Sequence, residues 1–253
     1  MSGKFVGKTV AVTGGAAGLG RAYALKFGVE GAHLILSDIN LAGMEETKAL
    51  VEGVGGSAEC HLCDMSDETQ IAALGAAVLA AHDRLDVLIN NAGLHMGEIA
   101  RGFFGLGQAK WQHFFAVNTI GPLLLAEALR PALAAAKGLI INKSSMASYQ
   151  PQTAYGITKA SLNIFTHAMA NQFGADEIRC VAIAPGLMAT EAAMDGVEEA
   201  NWERIKAMQL VKRQGTADDI ANLGVFLASE EGSFINNQVI LCDGGNAMRG
   251  FRI

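Results

Sequence analysis

Strand-length apolar runs alternate with helix-length, Ala/Leu-rich stretches along this chain, and that alternation leaves few folds open. The runs Lys8–Val12, His33–Ser37, Ser57–Cys63, Leu85–Ile89, Leu139–Asn142, Arg179–Ala184 and Gln238–Cys242 read as strands. Repeated βα units predict an α/β fold with a parallel sheet covered by helices on both faces. The chain's 253 residues, 51% of them hydrophobic, suit a sheet buried on both sides. It shows no linker, charge block or internal repeat and only four prolines, so residues 1–253 are expected to form one domain.

Composition narrows the function. The net charge is −6 and no Lys/Arg-rich run occurs, so nucleic acid is not an expected partner. The apolar stretch Val10–Val12 is too short for a signal region or a span, and no later stretch of about 18 apolar residues lacks charge. A membrane is therefore not expected, and the expected location is cytoplasmic. Cys60-His61-Leu62-Cys63 has no second matching pair, so a metal is not expected, and the cysteines read as small buried residues.

The first run ends in a glycine cluster, Gly14, Gly18 and Gly20, that opens a helical stretch from Leu19 to Glu30. Glycines at a βα turn let the backbone approach a pyrophosphate, and a helix start offers free amide donors. The spacing differs from G-x-G-x-x-G, and such a cluster can also serve packing alone. The next run ends at Asp38, eighteen residues beyond Gly20, where a carboxylate meets the adenosine ribose and repels a 2′-phosphate. Ile39 and Asn40 follow, with no arginine to receive that phosphate. The expected cofactor is NAD(H), with NADP(H) disfavoured by Asp38; the competing reading of Asp38 is a helix cap. Asp64, Asn90-Asn91-Ala92-Gly93, Ser144-Ser145 and Pro185-Gly186 all follow strands, which sends them to one rim. Gly102-Phe103-Phe104-Gly105-Leu106-Gly107 follows no strand and reads as a loop.

Tyr155 and Lys159, four residues apart, share one face if 154–173 is a helix. A free phenol has a pKa near 10, and bringing it to about 7 takes roughly 4 kcal/mol. A close ammonium together with an oxidised nicotinamide can supply that, and a tyrosine so tuned serves as general base. Alone, a Tyr-x-x-x-Lys pair is more often an exposed pair without a role.

Together these motifs resemble the short-chain dehydrogenases/reductases of about 250 residues, from Lys4 to the end of the chain. The resemblance implies a single Rossmann-like, doubly wound parallel sheet and a catalytic set of Asn118, Ser145, Tyr155 and Lys159. It implies cofactor contacts from Gly14, Gly18, Leu19, Gly20, Asp38, Ile39, Asp64, Met65, Asn91, Ala92, Gly93, Tyr155 and Lys159. Pro185, Gly186, Met188 and Thr190 resemble the segment that holds the nicotinamide carboxamide. In that reading Tyr155 moves the alcohol proton, Ser145 hydrogen-bonds the substrate oxygen, Lys159 lowers the Tyr155 pKa and holds the nicotinamide ribose, and Asn118 positions a relay water. Asp243-Gly244-Gly245 closes the last strand as in the family.

Ser145 and Tyr155 stand only ten residues apart, closer than the family usually places them, whereas the Asn118 to Ser145 interval of twenty-seven is usual. The shortening falls in 146–153, a segment that walls the substrate pocket, and a compensating insertion falls around 102–107. Expected substrate contacts are His95, Ser145, Met146, Tyr149, Tyr155 and Leu187, with Leu94, Met96 and Gln150 nearby. The segment 188–213, carrying Met194, Trp202 and Met208, is expected to act as a lid. The expected substrate is a secondary alcohol or ketone with a hydrophobic or aromatic body, since methionines suit irregular apolar ligands. Two rivals stand beside it: a carrier-linked 3-oxoacyl reductase docking through Arg204, Lys206, Lys212 and Arg213, and a non-catalytic NAD(H)-binding scaffold or sensor. The resemblance also implies a homotetramer built on the helices 111–133 and 153–173, with the tail 246–253 reaching a neighbour.

Overall fold

The computed structural model of the chain describes residues 3–95, 97–197 and 199–247. Met96 and the tail residues 248–253 lie outside the described residues. In chain order the elements are β1 Thr9–Thr13, α1 Gly18–Val29, β2 His33–Asp38, α2 Leu41–Gly53, β3 Ser57–Leu62, α3 Glu68–Ala81 and β4 Val87–Asn90. Then come α4 Gly107–Phe115, α5 Gly121–Ala128, α6 Arg130–Ala136, β5 Leu139–Lys143, α7 Ala154–Phe173, β6 Arg179–Pro185 and β7 Met188–Ala189. The last are α8 Glu191–Gly196, α9 Glu199–Met208, β8 Gly215–Thr216, α10 Ala217–Ala228 and β9 Val239–Cys242.

The main sheet runs β3-β2-β1-β4-β5-β6-β9, with every neighbouring pair parallel. Parallel pairing needs crossovers, and the intervening helices supply them on both faces. Successive strand residues therefore enter two different cores. Val10, Val12, Leu34, Leu36, Val87, Ile89, Leu139 and Ile141 pack with Tyr23 and Phe27 of α1 and Ile220 and Leu227 of α10. Ala11, Ile35, Leu88 and Ile140 pack with Ile71, Leu74 and Val78 of α3, Leu125 of α5 and Met169 and Phe173 of α7. This two-sided burial explains why the strands read as continuous apolar runs.

Short polar side chains start several helices. The side chains of Asn40, Asp67 and Thr153 accept amides of α2, α3 and α7, and Thr216 and Asp219 close a capping box on α10. Helix α1 differs: Ala17 at its N-cap offers no side chain, so its first amides stay free. Gly14 and Gly18 hold φ of +66° and +54° in the turn before it, a region costly for any residue with a Cβ.

The long helix expected over 111–133 is instead α4, a π-helical turn at Ala116–Ile120, α5 and α6. Pro122 has no N–H to give the Asn118 carbonyl four residues back, and Pro131 opens α6. Among the described residues no single helix is long and apolar enough to cross a membrane, and α4–α5 with α6 approach that composition only as a pair bent by 63°. A small parallel pair, β7 with β8, was absent from the sequence reading because each strand has two residues.

Candidate active site

The carboxyl ends of β1, β2, β4, β5 and β6 open on a cavity of about 1200 Å³ that runs from Asp38 to Tyr155. At one end it meets the uncapped start of α1, where Ala17, Gly18 and Leu19 line it with Gly14. Gly20 does not line it. A Cβ there would stand 1.9 Å from the Gly14 carbonyl oxygen, so Gly20 serves the approach of α1 to its own turn rather than a contact in the cavity. Asp38, at the end of β2, accepts the Ala16 and Asn40 amides at 3.1 and 3.0 Å and lines the cavity beside Ile39. Asp64 and Met65 line the neighbouring wall, the Asp64 carboxylate accepting the Ser66 amide and hydroxyl, each at 2.8 Å.

Asparagines brace the middle of the rim. Asn90 donates to Asn142 Oδ1 at 2.9 Å, and Asn142 donates to Thr166 at 3.0 Å, which ties β4, β5 and α7 together through a buried chain. Asn91 donates to the Thr13 and Gly14 carbonyls, while the amides of Asn91 and Ala92 donate to the Thr13 hydroxyl. Asn91 Oδ1 is buried without a hydrogen-bond partner among the described residues. The free α1 amides, this orphan oxygen and the glycine turn form a cradle that fits a dinucleotide. Pro185, Gly186, Leu187, Met188 and Thr190 line the opposite wall, and Thr190 stands 3.8 Å from where a Gly18 Cβ would lie.

At the other end Ser145 and Tyr155 line the cavity together. The Ser145 hydroxyl accepts the Ala147 amide at 3.1 Å. Ser144 differs, donating to Asn163 Oδ1 at 2.5 Å from a fully buried position. Burial pushes the Tyr155 phenol above its usual value, and the Ser145 side chain only partly offsets that. Lys159 sits 5.9 Å from the ring centroid, donates to the Lys143 carbonyl at 2.8 Å and is 1% exposed. Burial, then the nearby Lys143 ammonium, holds Lys159 well below the ordinary lysine range. Lys159 and Asn118 stand behind the cavity wall rather than in it. A Gly93 Cβ would lie 3.3 Å from Lys159 Nζ and 3.0 Å from Asn118 Oδ1. Asn118, in the π turn, accepts the Leu94 amide at 2.8 Å and donates to the Leu94 carbonyl at 2.9 Å and the Thr158 hydroxyl at 3.1 Å.

Of the expected substrate contacts, His95, Met146 and Leu187 line the cavity. Tyr149 does not. The shortened segment makes a single 3-10 turn, Met146–Ser148, and carries the Tyr149 hydroxyl away to the Val239 carbonyl, with Gln150 reaching the Ala247 carbonyl. The expected lid does reach the cavity, but through Thr190, Glu191, Ala193, Val197 and Asn201 rather than Met194, Trp202 and Met208. Arg101, His113 and Lys143 are among the cavity residues that no sequence motif marked. Lys143 carried a usable signal, a lysine closing an otherwise apolar strand two residues before Ser145. Burial brings its pKa down to about 8, and burial followed by Lys143 itself lowers that of His95.

The sequence matches a family model described as enoyl-(acyl carrier protein) reductase over residues 14–247. It is 34% identical to a probable short-chain type dehydrogenase/reductase of Bradyrhizobium diazoefficiens, covering 96% of this chain and 88% of that one. It is 32% identical to a 3-oxoacyl-[acyl-carrier-protein] reductase of Chlamydia trachomatis, covering 98% and 100%. Among solved structures it resembles a 7α-hydroxysteroid dehydrogenase complexed with NADH and 7-oxo glycochenodeoxycholic acid, at a TM-score of 0.89 and 27% identity, covering 96% and 95%.

Proposed function

The chain belongs to the short-chain dehydrogenase/reductase family, and from that premise we propose that it interconverts a secondary alcohol and a ketone on a mainly hydrophobic or aromatic small molecule, with NAD(H) as cofactor. As a member of that family it is an oxidoreductase that uses a nicotinamide cofactor. The observation that carries the reading is that Ser145 and Tyr155 together line one end of a cavity whose other end is the uncapped start of α1.

Bound at that cradle, the nicotinamide supplies the hydride acceptor or donor. Tyr155 gives its proton to the ketone oxygen in reduction and takes it back in oxidation. Ser145 donates to the same oxygen, where negative charge builds as the carbonyl is reduced. Lys159 and Asn118 act from behind Gly93, one biasing the phenol and the other holding the Leu94 backbone at the rim. Asp38 supports NAD(H) over NADP(H), because Asp38 lines the cavity while Arg21, at the start of α1, is paired with Glu46 and bonded to the Ala16 carbonyl.

The carrier-linked reading draws on relatives such as the Chlamydia reductase, yet its docking cations are largely engaged. Arg213 pairs with Asp219 at 2.6 Å, Lys206 with Glu203 at 3.6 Å, and Lys212 donates to the Ala207 and Gln209 carbonyls. An exposed Ile164 on α7 supports assembly through that helix, in keeping with a homotetramer. Four free cysteines suit a cytoplasmic setting.

The test follows reduced-nicotinamide absorbance with NAD and with NADP against a panel of hydrophobic secondary alcohols and their ketones. The expected result is turnover with NAD that Tyr155→Phe lowers by about 10²–10⁴-fold while cofactor binding persists. Tight NADH binding with no turnover of any alcohol, ketone or carrier-bound oxoester would favour the idle-scaffold reading.

A further inference from the structure

Three of the chain's six histidines converge on one carboxylate at the β3 edge of the sheet. His61 Nε2 and His82 Nε2 stand 2.9 and 3.2 Å from Glu59 Oε1, and His33 Nε2 stands 3.9 Å from Glu59 Oε2. They come from separate places: His33 opens β2, Glu59 and His61 lie on β3, and His82 follows α3. In the β2–β3 register His33 pairs with Ser57 and Ile35 with Glu59, and alternation puts His33, Ser57, Glu59 and His61 on one face. Coordinating atoms of His33, Glu59 and His82 all lie within 4.8 Å of one another.

His33 carries the second observation. Its Nδ1 is 2.8 Å from the Ser57 hydroxyl, while its Nε2 is buried and has no hydrogen-bond partner among the described residues. In the tautomer whose Nδ1–H donates to Ser57 the Nε2 lone pair is free, the second-sphere arrangement that orients metal-bound histidines. The adjoining surface pocket is lined by Lys8, Thr9, Ser57, His33 and His82, and Lys8 is paired with Asp86 at 3.1 Å.

We propose that His33 Nε2, Glu59 and His82 Nε2 form a binding site for a divalent transition ion of the zinc class, with His61 or water as fourth ligand. Imidazole nitrogens with one carboxylate suit such an ion, at about 2.0–2.2 Å per bond. Closing from the present spacing takes small side-chain movements on the sheet's edge. The ion would staple β2, β3 and the end of α3 without touching the cavity. Sequence spacing could not reveal it, because Cys60 packs with the opposite core and the ligands come from three elements.

The test is calorimetric titration of the untagged, chelator-treated full chain with Zn²⁺, repeated with Co²⁺ to read the visible spectrum of the bound ion. The expected result is one saturable site per chain. Ser57→Ala should weaken it by about 10-fold or more through the second-sphere contact alone, Glu59→Gln and His82→Gln should weaken it further, and His167→Gln should leave it unchanged. Absence of a saturable site, or affinity indifferent to Ser57→Ala, Glu59→Gln and His82→Gln, would overturn the proposal. Ser57→Ala alters only one hydroxyl, so it remains readable if a ligand variant misfolds.

Discussion

The Lys159 amine donates to the Lys143 carbonyl at 2.8 Å, so the amine beside the Tyr155 ring is held by the end of β5, two residues before Ser145. Two lysine side chains crowd that end, and no carboxylate pairs with either among the described residues. Each lysine therefore loses hydration without gaining a counter-charge, and both are shifted toward their neutral forms. The phenol is shifted the opposite way, toward its protonated form.

The raised Tyr155 pKa sets the sign of the pH response. A phenol above its usual value is protonated near neutrality and suited to donate a proton, so ketone reduction should dominate there. Alcohol oxidation needs the phenolate, and its kcat/KM should climb steadily from about pH 7 to about pH 10, while that of reduction stays level until the pH nears the phenol's own raised pKa. Profiles of kcat/KM in both directions check this. An oxidation profile flat across that range would mean that cofactor binding lowers the phenol to neutrality, the tuning first expected from the sequence.

Lys143→Met should stabilise the protein. The wild-type amine drops from 10.5 to about 8 on folding, so between those values the unfolded chain binds more protons and stability rises with pH. Below about pH 8 the whole cost of burying the ammonium is present, at most about 3 kcal/mol, which partial access to the cavity reduces to about 1–2 kcal/mol. The methionine variant should therefore melt higher at pH 7, with its advantage shrinking toward pH 10. Melting curves of both proteins across that range decide it, and an unchanged difference at all pH values would show that packing rather than charge is responsible.

The sheet was legible because parallel strands buried on both faces must be apolar throughout, as Val10–Val12 and Ile140–Ile141 are. The rim was legible because strand ends are marked by Asp38, Asn90 and Ser145. What the sequence hid depends on side-chain direction. Gly20 sits in a glycine motif yet packs against Gly14, and Tyr149 lies near Ser145 in sequence yet turns to Val239. Lys143 and Arg101 enter the cavity from positions that carry no motif. The break at Asn118 required weighing one missing N–H at Pro122 against a strongly helical composition.

Asp38 and Ile39 should govern cofactor choice. Asp38→Ala with Ile39→Arg removes the carboxylate and supplies a guanidinium at the same lip of the cavity. The ratio of kcat/KM for NADP to that for NAD should rise by at least about 10-fold, equivalent to about 1.4 kcal/mol. Asp38 also accepts two backbone amides, so Asp38→Asn serves as a control that keeps shape and loses charge. A ratio unmoved in the double variant would transfer the discrimination to another part of the cavity.

Asn118 offers a separation between two roles. Its side chain holds both the amide and the carbonyl of Leu94, directly after the Asn90–Gly93 segment, and it is fully buried. Asn118→Ala leaves those groups without partners at about 1–3 kcal/mol each, and a chain of this size loses about 2–4 °C of melting temperature per kcal/mol. A fall of roughly 5–10 °C, accompanied by weaker NADH binding, is expected as Gly93 and Leu94 loosen at the cavity wall. A residue needed only to place a relay water would instead lower kcat and leave the melting temperature and NADH affinity where they were.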